Sequence, residues 1–148
     1  MIYLGADHGG FELKERIKEY LAAASVPVTD LGAFSDEPSD YPDYAFTVAE
    51  KVRDGGPDDF GILVCTTSVG TCVAANKIKG IRAAVGYTEH AVERSRNDVD
   101  ANILCLGGGE IGHDEALRLV DLFLKTPFSQ AERHVRRLSK VQKREQEE

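Results

Sequence analysis

The sequence predicts an α/β fold, a parallel sheet with helices packed on both of its faces. Short apolar runs of about five residues, rich in Val, Ile and Leu, alternate five times with longer stretches of helical periodicity. The runs are too uniformly apolar for one side to meet water, which is the pattern of strands covered on both faces. Fourteen glycines against five prolines suit the many tight strand-to-helix turns of such a fold.

In chain order, residues 1–6, 26–31, 60–65, 82–86 and 102–106 read as strands. Residues 11–24 read as the first helix, because Phe11, Leu13, Ile17, Tyr20, Leu21 and Ala24 approximate a 3.6-residue stripe. The stretches 41–53, 69–78 and 89–97 fill the later gaps, and 112–124 follows the last strand. Beyond Pro127 a further helix, 130–144, extends as an arm, with the last few residues expected to be unstructured. Val135, Leu138 and Val141 recur along it at spacings of three, a stripe suited to a partner because so small a domain has little surface of its own to cover it. No internal repeat or linker interrupts the chain, so 1–148 is expected to be one domain with 127–148 as its arm.

Composition narrows the classes. A length of 148 residues, 42% hydrophobic and 29% charged, suffices for one cored domain. No apolar run approaches the ~20 residues needed to span a bilayer. Residues 1–6 lack the basic start and long apolar stretch of a leader, so a soluble, cytoplasmic protein is expected. The formal charge is −7; residues 133–148 hold six Lys/Arg against three Glu, which leaves −10 over 1–132. Such an acidic body repels nucleic acid and anionic membrane, and neither is expected as a partner. Cys65, Cys72 and Cys105 form no disulfide framework, and their spacing matches no metal site.

Sheets of this kind place ligands beyond the carboxyl ends of their strands. The loop at 107–112 matches G-x-G-x-x-G, yet it follows the last strand and no later strand supplies the acidic partner. It therefore reads as a plain glycine-rich turn, and the Walker pattern is absent. Asp7 at the end of the first strand can cap the next helix, or with His8 hold sugar hydroxyls and a phosphate. Cys65 is followed by Thr66, Thr67, Ser68, Val69 and Gly70 at a helix start, where N–H groups favour a thiolate and can cradle an anion or oxyanion. The alternative for Cys65 is a small buried hydrophobe, as Cys72 and Cys105 read. His90, His113 and His134 are scattered and read as surface residues. Arg133 and Arg137 lie four apart on one helical face and can clamp a phosphate, while Arg136 points elsewhere.

The order of Gly5-Ala6-Asp7-His8-Gly9, Asp40-Tyr41-Pro42-Asp43-Tyr44-Ala45, Gly61 to Cys65, Val69-Gly70, Ala74-Ala75-Asn76-Lys77, Gly80-Ile81-Arg82-Ala83 and Arg133-His134 resembles the type B ribose-5-phosphate isomerase and galactose-6-phosphate isomerase family over nearly the whole chain. The resemblance implies a three-layer Rossmann-like sandwich with a five-stranded parallel sheet. It also implies a homodimer, with a dimer of dimers as the further option, whose active sites lie at the subunit interface. The implied chemistry is metal-free and cofactor-free aldose–ketose isomerisation of a phosphorylated sugar. On this resemblance Cys65 is the base, Asp7, His8 and Tyr41 line the sugar site, and Arg133 and Arg137 bind phosphate.

Three departures stand out. The family's loop typically reads Cys-Gly-Thr-Gly-Val-Gly, whereas Thr66 and Ser68 replace two glycines here and Thr67 is kept. β-Branched Thr66 would tolerate a positive φ poorly. Asp98 and Val99 stand where the ribose enzymes carry a ring-opening His and an Asn, and Gly109 replaces an Arg near the phosphate. The expected mechanism has Cys65 removing a proton beside the carbonyl, with the N–H groups of residues 66–70 and the Thr67 hydroxyl stabilising the enediolate. Asp98 takes the ring-opening slot, and ribose 5-phosphate is expected to be a poor substrate. The alternatives are a non-catalytic sugar-phosphate-binding protein on the same scaffold and, resting only on 107–112, a nucleotide-binding domain.

Overall fold

The computed structural model describes all residues, 1–148, and contains one five-stranded parallel sheet. The strands are β1 (Ile2–Ala6), β2 (Val28–Asp30), β3 (Phe60–Cys65), β4 (Ala83–Val85) and β5 (Ile103–Gly107). The helices are α1 (Phe11–Ala23), α2 (Tyr41–Asp54), α3 (Val69–Ala75), α4 (Glu89–Val99), α5 (His113–Lys125) and α6 (Glu132–Gln146). The sheet order is β2-β1-β3-β5-β4, with every pair parallel. Alternate strand residues face opposite ways. Ile62, Val64, Leu104 and Leu106 pack with α1 and α5, and with Val92 of α4. Leu63, Ile103 and Cys105 pack with α2 and α3 on the other face. The three layers follow from that alternation.

The central strands match the expected bounds closely, and the edge strands are shorter. The Val26 N–H donates to Leu21 O, which closes α1 and delays β2 until Val28. Helix α3 stops at Ala75, three residues short of the expected end. There the Asn76 side chain accepts from Ala83 N–H (2.8 Å) and donates to Ala83 O (3.0 Å), anchoring the helix end to β4. The arm helix α6 is Glu132–Gln146, as long as the expected 130–144 but shifted two residues along the chain, and it leaves only Glu147 and Glu148 beyond it. No helix is long and apolar enough to cross a membrane. Along α6, Val135 and Val141 are exposed and Leu138 is half-buried.

Chain direction reverses between β1 and β3: α1 carries it outward to β2, and α2 carries it back to β3. The crevice at that switch is where a parallel sheet offers strand-end loops to a ligand. Asp7 and His8 leave β1 there, beside the loop that leaves β3 at Cys65.

Candidate active site

Three strand-end loops meet at this crevice, and glycines let them touch. Gly10, just before α1, lies against the Val64 carbonyl so closely that no Cβ fits. A Cβ on Gly9 would strike the Thr66 hydroxyl, and one on Gly109 would sit 2.9 Å from Thr66 Cγ2. Thr66 is thus wedged between the loops after β1 and β5. Helix α2 adds Tyr41, whose ring lies over Gly70, where a Cβ would come within 2.6 Å of it. The residues at 7–10, 41, 65–70 and 107–109 therefore form one contiguous surface.

Asp7 is 7% exposed, and its Oδ1 accepts from Gly10 N–H at 3.1 Å. It holds the turn that leads into α1 without capping that helix, whose N-cap is Gly10 with no side-chain cap bond, and it keeps Oδ2 unpartnered. The Ser39 N–H donates to His8 Nδ1 at 3.1 Å, which orients an exposed imidazole and leaves Nε2 free. Beneath this loop Lys14, fully buried, reaches both oxygens of Asp30 at 2.7 and 2.8 Å.

Cys65 is 5% exposed, and its Sγ accepts from Ser68 N–H at 3.1 Å. The Val69 N–H donates to Thr67 Oγ1 at 3.3 Å. Of the loop N–H groups expected to face an anion, those of Ser68 and Val69 are therefore committed within the loop. Those of Thr66, Thr67 and Gly70 meet no acceptor in the chain. The positive φ falls on Ser68, at +73°, and not on Thr66. Cys105 is fully buried as expected; Cys72 is only half-buried, and the Cys105 thiol beside it, opposed by burial and aided by the Asn76 amide, lowers it to about 7. The 107–112 loop behaves as a plain turn: Gly108 N–H donates to Cys65 O and Gly109 N–H to Thr66 O, at 2.8 and 2.9 Å. Amides spent on the Cys65 and Thr66 carbonyls cannot cradle a pyrophosphate.

A second cluster lies elsewhere. Asp98, Val99, His134 and Arg137 line a cavity of about 630 Å³ with Ile81 and Leu138. His134, expected at the surface, is 5% exposed, with Nδ1 2.6 Å from Ser129 Oγ and Nε2 3.6 Å from Asp98 Oδ1. Its neighbour Arg133 was the only signal in the sequence. The Asn97 amide, at 2.8 Å, together with Arg94 and His134 holds the Asp98 carboxyl below the usual carboxylate range. Asp98 is thus an anion at neutral pH, able to accept a proton but with none to give. Arg133 and Arg137 are exposed on α6 and neither pairs with a carboxylate. Asp98 ends α4 at the amino edge of the sheet, whereas Cys65 sits at the carboxyl edge level with Gly107. The length of β5 separates the two, roughly 15 Å at ~3.3 Å per residue.

The Ribose/Galactose Isomerase family profile matches residues 2–141. A probable ribose-5-phosphate isomerase B of Mycoplasma genitalium is 42% identical over 147 residues, 99% of this chain and 96% of that one. The ribose-5-phosphate isomerase B of Escherichia coli is 41% identical over 95% of this chain and 93% of its own. A Clostridium thermocellum ribose-5-phosphate isomerase B structure superposes with a TM-score of 0.95 at 42% identity, covering 99% of this chain and 97% of that one. The M. genitalium enzyme with bound ribulose-5-phosphate superposes at 0.92 and 42% identity, over 99% and 97%. With the strand-end loops, the fold and the matched length in agreement, the chain belongs to the ribose/galactose isomerase family.

Proposed function

We propose that this protein interconverts an aldose phosphate and its ketose through an enediolate, with Cys65 as the base. The observation that carries this is the Cys65 sulfur at the carboxyl end of β3, at the switch point, followed by a loop in which three N–H groups have no acceptor. The Cys65 thiolate takes the proton from the carbon next to the carbonyl. The electron pair passes to the carbonyl oxygen, which the N–H groups of Thr66, Thr67 and Gly70 stabilise; the thiol returns the proton to the former carbonyl carbon, and the hydroxyl proton moves from the neighbouring oxygen to the former carbonyl oxygen. Asp7 Oδ2 and Tyr41 hold hydroxyls, and His8 Nε2 meets the phosphate. The relatives' names and the ribulose-5-phosphate complex support a five-carbon substrate class.

The active unit is a homodimer, in which Arg133, Arg137 and Asp98 of one copy complete the crevice of the other. Two facts support it: those residues and Cys65 lie at opposite edges of one sheet, and the α6 stripe lies uncovered beside the cavity. With Asp98 held anionic, it acts in ring opening as the acceptor of the sugar's hydroxyl proton. Ribose 5-phosphate is turned over, but poorly, because Thr66 crowds the crevice where Gly109 also withholds a cation. The test is a panel of pentose and hexose phosphates followed by ketose formation. Turnover of a pentose phosphate is expected, and tight binding without ketose from any member would contradict the proposal.

A further inference from the structure

Thr71, in the first turn of α3, is fully buried and plays no part in the chemistry above. Its hydroxyl lies 3.4 Å from Cys65 Sγ, in a geometry where either atom can donate, and it donates to Ser68 O at 3.2 Å. Ser68 N–H donates to the same sulfur at 3.1 Å. Cys65, Ser68 and Thr71 thus close a ring of three hydrogen bonds around the sulfur.

We propose that Thr71 is a positioning residue for the proton transfer: its hydroxyl fixes the Cys65 sulfur and turns to donate to it whenever the sulfur is a thiolate. This rests on the reading of Cys65 as the base. A hydroxyl both accepts and donates, so it suits both states of the sulfur. When Cys65 is a thiol, its S–H donates to Thr71 Oγ1, which passes its own hydrogen to Ser68 O. When Cys65 is a thiolate, rotation about the C–O bond sends that hydrogen to sulfur instead, joining the Ser68 N–H. The charge-assisted bond is the stronger of the two, so the exchange favours the anion. Taking the substrate proton breaks a C–H bond and makes an S–H bond, after which the hydroxyl swings back to Ser68 O. The third sulfur nearby does not compete. Hydrogen bonding from Cys72 and full burial push the Cys105 thiol well up and keep it protonated.

The test reads Cys65 directly, by iodoacetamide alkylation of the folded protein across pH 6–10, followed by intact mass. A Cys72→Ser background is needed, because Cys72 is half-buried and titrates at about 7. Thr71→Val should slow alkylation at pH 7 about tenfold, the worth of one hydrogen bond to a charged group, with rates converging at high pH. The kcat for the aldose phosphate should fall by a similar factor with KM held, and Thr71→Ser should restore both. If Thr71→Val does not fold, Thr71→Ala removes the same hydroxyl and predicts the same change. Unchanged alkylation and kcat in the valine variant would overturn the proposal, and so would an equal loss in the serine variant. Wild-type turnover by Cys65→Ala would instead overturn the reading of Cys65 as base and Thr71's part in turnover, while the alkylation response would still report the hydrogen bond.

Discussion

Two departures from the family's loop pattern, Thr66 and Gly109, touch each other, so they should behave as one unit. A Cβ at position 109 would lie 2.9 Å from Thr66 Cγ2 and 3.2 Å from Thr66 O. Ordinary contact begins about half an ångström further out, so Gly109→Arg forces Thr66 to move, at a cost of about 1–2 kcal/mol of overpacking. The Thr66→Gly substitution removes the obstructing methyl and hydroxyl. The double variant should therefore recover about 1 kcal/mol more than additivity allows, a coupling typical of residues in contact. It should also gain activity, since an arginine placed on the phosphate is worth about 1.5–3 kcal/mol, or roughly 10- to 100-fold in kcat/KM for ribose 5-phosphate. Urea unfolding at fixed chain concentration and steady-state kinetics on all four forms measure both effects. Additive stabilities, or a Gly109→Arg single variant as stable and as fast as the double, would refute the wedging of Thr66.

Lys14→Met should destabilise the fold by about 2 kcal/mol, since Asp30, 12% exposed, loses its fully buried partner but keeps Lys18 at 2.8 Å and the Gly32 N–H, and melting should drop by about 6 °C. A loss under 1 kcal/mol would deny that pair its place. Acid stability should follow Asp30 and Glu15. Burial, which alone would raise each carboxyl, is outweighed by hydrogen bonds from Lys14 and Lys18, and at Asp30 also from Gly32 N–H, so both titrate below the usual range. Their contribution is complete above pH ~4, where the unfolded carboxyls ionise, and is lost as pH falls through the lower folded values. Urea midpoints measured across pH 2–6 should show that decline, flattened in Asp30→Asn. Gly70→Ala should push the Tyr41 ring outward, because the new Cβ meets its Cε1 at 2.6 Å. Tyr41 is 39% exposed and can yield, so KM should rise while the urea midpoint moves little.

Much of this was legible in the sequence, and the misses have physical causes. Apolar runs marked the three central strands to within a residue, because a strand buried on both faces has no polar positions to blur it. The edge strands β2 and β4 are only partly buried, and their ends are set by Val26 closing α1 and by Asn76 gripping Ala83, contacts that no periodicity encodes. Asp7, His8 and Cys65 could be gathered because strand-end position and residue type coincide, whereas Tyr41, the first residue of α2, came only from the family resemblance. His134 read as surface because its burial against Ser129 and Asp98 depends on how α6 lies on α4. Thr71 carried no signal, since a threonine inside an apolar helix looks like packing until its hydroxyl is seen beside the sulfur. Of the two residues that replace loop glycines, Ser68 and not Thr66 takes the positive φ, in a turn where the Ser68 N–H donates to the Cys65 sulfur, and residue type alone does not tell which.

The central claim, that Cys65 moves a proton between adjacent sugar carbons, is tested most directly by deuterium exchange. The aldose phosphate is incubated with the protein in D₂O, and label is followed at the carbon beside the carbonyl. The wild type should place solvent deuterium on the former carbonyl carbon as ketose forms, and on the carbon beside the carbonyl in aldose that is re-formed. Cys65→Ala should bind the same phosphate and exchange about a thousandfold more slowly, the loss expected of a missing general base. Exchange by Cys65→Ala at the wild-type rate would contradict the account.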